Sequence, residues 1–250
     1  MENNLQKPVV VSIIIATYNA EKYISECLSS IFTLPQMPIE VVVVDGGSTD
    51  RTMELISSFQ SKQLKVSSGP DKGIYDAMNK GIALAQGQWL YFMGADDRLL
   101  TGFGELIAKL ADQDTIYYGN SQPIFEDIPV DPYGLLQGEF SPYRLAKYCM
   151  NHQSILYPAK AFINHKYELE YKVAADYAAN LRLWGDESFK KVFYPIEVVS
   201  YNMGGFSAGN RDILFYKHKS RLVRQRLGWK VYLRYVFRAI KDQIKGRDGV

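Results

Sequence analysis

The sequence predicts an α/β protein in which a mostly parallel central sheet carries helices on both faces, and three observations support this. Short apolar runs rich in β-branched residues (Val9 to Ala16, Val41 to Val44, Trp89 to Met93) lack polar alternation, as do strands buried on both faces. Segments with helical apolar spacing separate them, giving the strand–helix alternation of crossover connections. Each run stops at a polar cluster, and in such sheets ligands bind just outside the carboxyl ends of the strands.

The elements follow in chain order. Val9 to Ala16 is the first strand; Thr17-Tyr18-Asn19 leaves it, with Asn19 expected as the N-cap of a helix carrying Ile24, Leu28, Ile31 and Phe32 on one side. Leu34 to Pro38 ends that helix. Val41 to Val44 is the second strand, ending at Asp45-Gly46-Gly47-Ser48-Thr49-Asp50. Its two glycines allow backbone to approach a ligand, and Ser48 to Asp50 open the next helix. A short strand near Leu64 to Val66 leads into the stretch Asp71 to Gly81. The strand Trp89 to Met93 then runs into Gly94-Ala95-Asp96-Asp97.

Further on, Gly102 to Ala111 reads as a helix and Thr115 to Tyr118 as a strand. Residues 121 to 148 read as an irregular loop region over the site. Ile155 to Tyr157 reads as a strand, Asp176 to Trp184 as a helix, and Phe189 to Tyr201 as one or two strands before Met203-Gly204-Gly205-Phe206-Ser207.

With 250 residues, 47% hydrophobic and 22% charged, the composition is that of an ordinary globular protein. Cys27 and Cys149 fit no metal or redox spacing, so a reducing compartment is expected rather than a disulfide framework. The N-terminus lacks the order of a signal peptide, and no uncharged apolar run approaches the roughly 20 residues that span a bilayer. A cytoplasmic location is expected.

The net charge of +2 conceals an asymmetry: from Arg211 onward twelve Lys and Arg face three Asp, while the rest of the chain is net acidic. This divides the chain into an α/β domain (1–210) and a basic helical segment (211–250). In the segment, Trp229, Leu233, Val236, Ile240 and Ile244 share one helical face, and Lys230, Arg234, Arg238, Lys241 and Lys245 another. Such a helix suits an anionic membrane interface better than nucleic acid; it also suits a terminal helix packed on the domain with a solvated basic face.

Asp96-Asp97 admits two readings. The pair is either a solvated turn capping the next helix, or a pair of hard oxygen ligands for a divalent cation that grips a diphosphate. Polar clusters at several strand ends favour a site for a nucleoside diphosphate. There Asp45 can accept from a base or a ribose hydroxyl, and Lys72 can offset phosphate charge. No Gly-x-Gly-x-x-Gly follows the first strand and no P-loop is present, which disfavours a dinucleotide enzyme.

The runs VSIIIATYNAEKYISECLSSI, VVVVDGGSTDRT and DKGIYDAMNKGIALAQGQWLYFMGADD resemble family 2 glycosyltransferases of the GT-A fold. The branch that builds O-antigen, colanic acid and other bacterial surface polysaccharides is the most similar, and NHQSILYP, YELEYKVAADYAANLRLW and MGGFS extend the likeness to about residue 210. The resemblance implies inverting transfer of a sugar from a nucleotide donor, usually UDP-linked, assisted by Mg²⁺ or Mn²⁺. It places Thr17, Tyr18, Glu21 and Asp45 around the nucleoside, with Lys72, Asp76 and Asn79 nearby. Asp96 matches the metal-binding second acid of Asp-x-Asp, Asp97 shares that role, and Gly94 stands where the first acid is usual.

Inversion needs a base for the acceptor hydroxyl, and Asp176 occupies the family's position for it; a plain helix cap is the structural alternative. His152 either contacts the donor diphosphate or acceptor, or is a hydrogen-bonded structural residue. Met203-Gly204-Gly205 with Ser207 either lies near an anion or forms a tight turn. Processive members carry Gln-x-x-Arg-Trp and membrane spans; Arg182-Leu183-Trp184 lacks the glutamine, so one transfer per acceptor is expected. The implied acceptor is a lipid-linked (polyprenyl diphosphate) saccharide at the inner membrane face. The rival readings are an inactive nucleotide-sugar or lipid-binding protein and a sugar-nucleotide pyrophosphorylase.

Overall fold

The computed structural model describes residues 9–35, 37–124, 137–202, 204 and 210–244. Its strands are β1 (Val11–Thr17), β2 (Ile39–Asp45), β3 (Leu64–Ser68), β4 (Trp89–Gly94), β5 (Arg98–Leu99), β6 (Thr115–Ile124), β7 (Ile155–Pro158) and β8 (Lys190–Asn202). They form one sheet in the order β3-β2-β1-β4-β7-β6-β8-β5. The first four are mutually parallel, β7 runs against both its neighbours, β6 and β8 are parallel, and β5 is antiparallel to β8.

The helices are α1 (Ile24–Phe32), α2 (Thr52–Ser57), α3 (Ile74–Leu84), α4 (Gly102–Ile107), α5 (Pro142–Lys147), α6 (Ala175–Gly185) and α7 (Ile213–Ile244). Alternate side chains of the apolar strands feed two cores. Ile14, Val42, Leu90 and Phe92 pack with Met78 of α3 and with residues of α5, α6 and α7. Ile13, Ile15, Val43 and Met93 pack with Ile24 and Leu28 of α1 and with Phe103 and Leu106 of α4. Two buried faces explain why these strands show no polar alternation. The register aligns Thr17 with Asp45 and Ala16 with Gly94, so three carboxyl ends lie side by side.

Several expectations are corrected. Asn19 does not cap α1, which begins five residues later; it adopts a left-handed φ of 48°, its Oδ1 accepts from the Thr49 amide, and its own amide donates to Ser48 Oγ. It therefore ties the loop after β1 to the loop after β2. The region 121–148 is partly regular: β6 continues to Ile124, and Ser141 caps α5 by accepting from Arg144 N, with Pro142 in the first turn. Residues 125–136 lie outside the described residues, as do Met203 and 205–209 of the Met-Gly-Gly stretch.

The tail is helical but breaks at Gly228, whose φ of 82° favours glycine. Before the break, Phe215, Leu222 and Val223 are buried in the core shared with α6. Beyond it Trp229, Leu233, Phe237 and Ile240 are 50–75% exposed. Ile244's side chain and Lys245 fall outside the described residues.

Lys219 on the buried half of α7 donates to the Lys147 carbonyl and lies over the Tyr177 ring. Burial pushes its ammonium down to about 8. A base depressed in the folded state contributes stability that is complete above its unfolded value and is lost as pH falls through about 8, roughly 3 kcal/mol in all. Urea unfolding should therefore show the stability of the wild type rising relative to Lys219→Met between pH 8 and 10. A gap between the two that does not change with pH would contradict this.

Candidate active site

A cavity of about 1150 Å³ opens at the carboxyl edge of the sheet, lined from the end of β1, the start of α3, the turn after β4, the segment before β7 and the start of α6. This lies just above the range of roughly 300–1,000 Å³ usual for a small-molecule pocket. Thr17, Tyr18, Lys72, Asp76, Asp96, His152 and Asp176 all line it. Thr17 is buried, and its Oγ1 has no hydrogen-bond partner among the described residues. Tyr18, 63% exposed, stands at the mouth. Asp76 Oδ2 accepts from the Lys72 amide and pairs with Lys80, fixing the turn that presents Lys72.

Four other expected site residues lie apart from the cavity lining. Asp45 is fully buried and accepts from the amides of Gly47 and Ser48 and the hydroxyls of Ser48 and Ser68. Burial raises its carboxyl, but these bonds outweigh that and hold it below the usual range. Glu21 accepts from the Arg51 amide, and Asn79 clamps the backbone of Tyr167 through both ends of its amide. Asp97 is buried, accepting from Gly94 N at 2.7 Å, Gln153 Nε2 at 3.1 Å and Asn202 N at 3.3 Å. Burial, with the neighbouring Asp96 charge, pushes its carboxyl up to about 6. Each sits beside the site and shapes a loop that forms it.

The two aspartates after β4 thus divide. Asp97 holds the turn and Asp96 faces the cavity, where burial raises its carboxyl above the usual range. A Cβ at Gly94 would come within 2.6 Å of Asp96 Oδ1 and 3.1 Å of Asp97 Oδ2, so the glycine leaves the space those carboxylates fill. Among the described residues no three His, Cys, Asp or Glu side chains form a metal cage. Magnesium commonly takes one or two carboxylates plus substrate phosphates and water, so the donor set fits an ion shared between Asp96 and a diphosphate.

Across the cavity, Asp176 opens α6, where the helix dipole favours its charge. Its Oδ2 lies 3.0 Å from His152 Nδ1, and its Oδ1 lies 2.8 Å from the Tyr75 hydroxyl, which also reaches the Val173 carbonyl at 2.7 Å. Burial and the Asp176 charge keep that phenol protonated, so it serves as a donor. Cys149 Sγ is 4.0 Å from Oδ2. Asp212, just before α7, accepts from the amides of Val173, Ala174 and Phe215, pinning the turn that carries Asp176 to the terminal helix.

Sequence reasoning missed Tyr75, Asp212 and Gln153. Tyr75 lies inside the Gly-Ile-Tyr-Asp-Ala-Met-Asn run, and a tyrosine in the first turn of a helix at the sheet edge was its available signal. Asp212 ahead of an apolar helical run carried the signature of a cap.

A model of the family described as Glycosyl transferase family 2 matches residues 12–172. The chain is 34% identical over 206 residues to a PGL/p-HBAD biosynthesis glycosyltransferase of Mycobacterium tuberculosis, covering 78% of each. It is 26% identical to the hyaluronan synthase of Pasteurella multocida over 76% of this chain and 20% of that one. Among solved structures it resembles S. aureus TarS 1-349 in complex with UDP-GlcNAc (TM-score 0.71, 22% identity, 87% of this chain and 66% of that one). It also resembles the mannosyltransferase PcManGT from Pyrobaculum calidifontis in complex with GDP-Man and Mn2+ (TM-score 0.62, 19% identity, 94% and 65%).

Proposed function

The chain belongs to glycosyl transferase family 2, and from that premise we propose that it moves one sugar, with inversion, from a nucleotide sugar to a saccharide acceptor. The observation that carries this reading is the shared cavity: Asp96 and Lys72 face it, and so do Asp176 and His152. The first two suit a diphosphate, the second two the proton of an attacking hydroxyl. UDP is the proposed nucleotide, with Thr17 and Tyr18 on the nucleoside side. Asp45, Glu21 and Asn79 support that side through the loops they fix. A Mn²⁺ or Mg²⁺ ion between Asp96 and the diphosphate would neutralise charge on the leaving group. Lys72 adds a fixed cation, and the Asp176–His152 pair takes up the acceptor's proton.

The acceptor we propose is a lipid-linked saccharide used in a surface glycolipid or polysaccharide. Relatives named for PGL/p-HBAD biosynthesis and as a hyaluronan synthase support assembly of a saccharide, and the lipid link rests on the terminal helix. No helix among the described residues is long and apolar enough to cross a membrane. The exposed apolar face of α7 beyond Gly228 lies beside exposed Lys230, Arg234, Arg238 and Lys241, the arrangement of a helix lying in an anionic interface. Beyond Gly228, Val231, Tyr232 and Tyr235 pack against the core, whereas Trp229, Leu233 and Phe237 are exposed, so changes at these three test binding with the packed side left in place. Serine at Trp229, Leu233 and Phe237 should abolish sedimentation with vesicles containing phosphatidylglycerol and leave the melting temperature unchanged; undiminished sedimentation would refute the interfacial role.

The catalytic reading is tested by incubating the chain with a panel of UDP- and GDP-sugars, with Mn²⁺ or EDTA, and measuring nucleotide release by chromatography. Selective, metal-dependent release from one donor is expected. No release from any donor, together with tight nucleotide binding, would favour the inactive binding protein.

A further inference from the structure

His152 sits in a short 3₁₀ turn (His152–Ser154) before β7 that is fixed on every side. Asn151 caps the turn by accepting from the Gln153 amide and donates to Ser121 Oγ. The Gln153 side chain is held by Asp97 and its carbonyl by the Tyr91 hydroxyl. The imidazole therefore has a set position, and its Nδ1 meets Asp176 Oδ2 at 3.0 Å.

An ionised carboxylate only accepts hydrogen bonds, so this contact places a ring proton on Nδ1, and in the neutral ring the lone pair then lies on Nε2. Both Asp176 oxygens have a donor within reach, His152 Nδ1 on one and, on the other, the Tyr75 hydroxyl, whose single proton the Val173 carbonyl shares. By contrast His152 Nε2 is buried and has no hydrogen-bond partner among the described residues, while His152 lines the cavity. A buried acceptor without a donor is costly, and a hydroxyl bound beside it removes the cost.

Resting on the transferase reading above, we propose that His152 Nε2 is the atom that accepts the acceptor's proton, with Asp176 as the residue that positions the imidazole. The acceptor O–H bond breaks and its proton passes to Nε2. The electron pair left on oxygen forms the bond to the anomeric carbon. The bond from that carbon to the diphosphate oxygen breaks, and its pair departs on the diphosphate. Asp176 balances the imidazolium that results, and Tyr75 holds the carboxylate in line. Imidazole suits the task because its proton affinity lies nearest neutrality among side chains. The ionisable groups around the pair are Tyr75 on Asp176 Oδ1, the Cys149 thiol 4.0 Å from Oδ2, and the buried phenols of Tyr157, Tyr167 and Tyr177, which the Asp176 charge helps keep protonated.

Two measurements on the full chain decide this. Long-range ¹H–¹⁵N correlation NMR of the neutral ring should show Nδ1 protonated and Nε2 bare, and Asp176→Asn should mix the tautomers. A proton on Nε2 in the wild type overturns the assignment whatever the activity. Second, His152→Gln should lower kcat, with the donor picked by the sugar panel and water as acceptor, by about 10²-fold or more. UDP binding by calorimetry should stay within about threefold, and the acid limb of the pH–rate profile should vanish. Activity within about threefold of wild type, with the acid limb intact, makes His152 a structural partner and gives the proton to Asp176 directly. A wild type that turns over no donor removes the transferase reading and this assignment together, whereas an active wild type beside an unimpaired His152→Gln removes the assignment alone.

Discussion

Asp176→Asn is expected to lower sugar transfer by roughly 10²–10⁴-fold, the usual worth of a positioned acid–base group. The amide keeps the size of the carboxylate and the start of α6, so the melting temperature should change little. What is lost is the negative charge between His152 Nδ1 and the Tyr75 hydroxyl. Without it the imidazole is free to take its other tautomer, and a positive charge arising there during attack has no counterpart. Initial rates at saturating donor, set beside UDP affinity, check this. A loss under tenfold in kcat, or a loss confined to KM, would assign Asp176 to binding or to capping α6.

Asp96→Ala should cost about 10²–10³-fold in kcat, the scale of removing one preorganised group that stabilises charge on a leaving group. It should also abolish the tightening of UDP binding by Mn²⁺. The neighbouring residue supplies the control. Asp97→Ala strands the buried Gln153 side chain and the part-buried amides of Gly94 and Asn202, so its main effect should be on stability, about 1–3 kcal/mol for the buried donor and less for the other two. Equal loss of metal response from both substitutions, with no change in stability for Asp97→Ala, would return the pair to a shared metal role.

How far the sequence is legible depends on what each signal reports. The continuous apolar runs of β1, β2 and β4 report burial on two faces, and the two cores flanking the sheet show why those runs are uninterrupted. Polar clusters at strand ends are legible as a site, but not the direction of each side chain. Asp45 and Asp97 turn inward because amides two or three residues away in sequence satisfy them, and Asp96 turns outward. Nothing in residue type separates the three. Asn19 looks like a cap by type, yet its left-handed backbone serves a contact thirty residues away. β5, with two residues, is too short for any periodicity to mark. α5 was hidden among prolines and glycines, although Ser141-Pro142 carries the signature of a helix start. In α7 the stripe of Trp229, Leu233 and Ile240 is exposed, while Val231, Tyr232 and Tyr235, which the stripe does not include, supply the side that packs on the core.

The division of labour in the cavity also explains how the terminal helix bears on the chemistry. Asp212 caps the start of α7 and at the same time holds the amides of Val173 and Ala174, immediately before Asp176. Burial raises its carboxyl, yet these bonds outweigh that and keep it below the usual range, so the latch stays ionised at neutral pH.

The central claim is that one cavity holds both the diphosphate, at Asp96, and the proton acceptor, at His152 and Asp176. A crystal structure of the chain soaked with UDP and Mn²⁺ tests it most directly. The expected result is the diphosphate and its ion beside Asp96, in the same cavity that His152 and Asp176 line. A diphosphate bound outside that cavity, or one whose ion is held without Asp96, would contradict it.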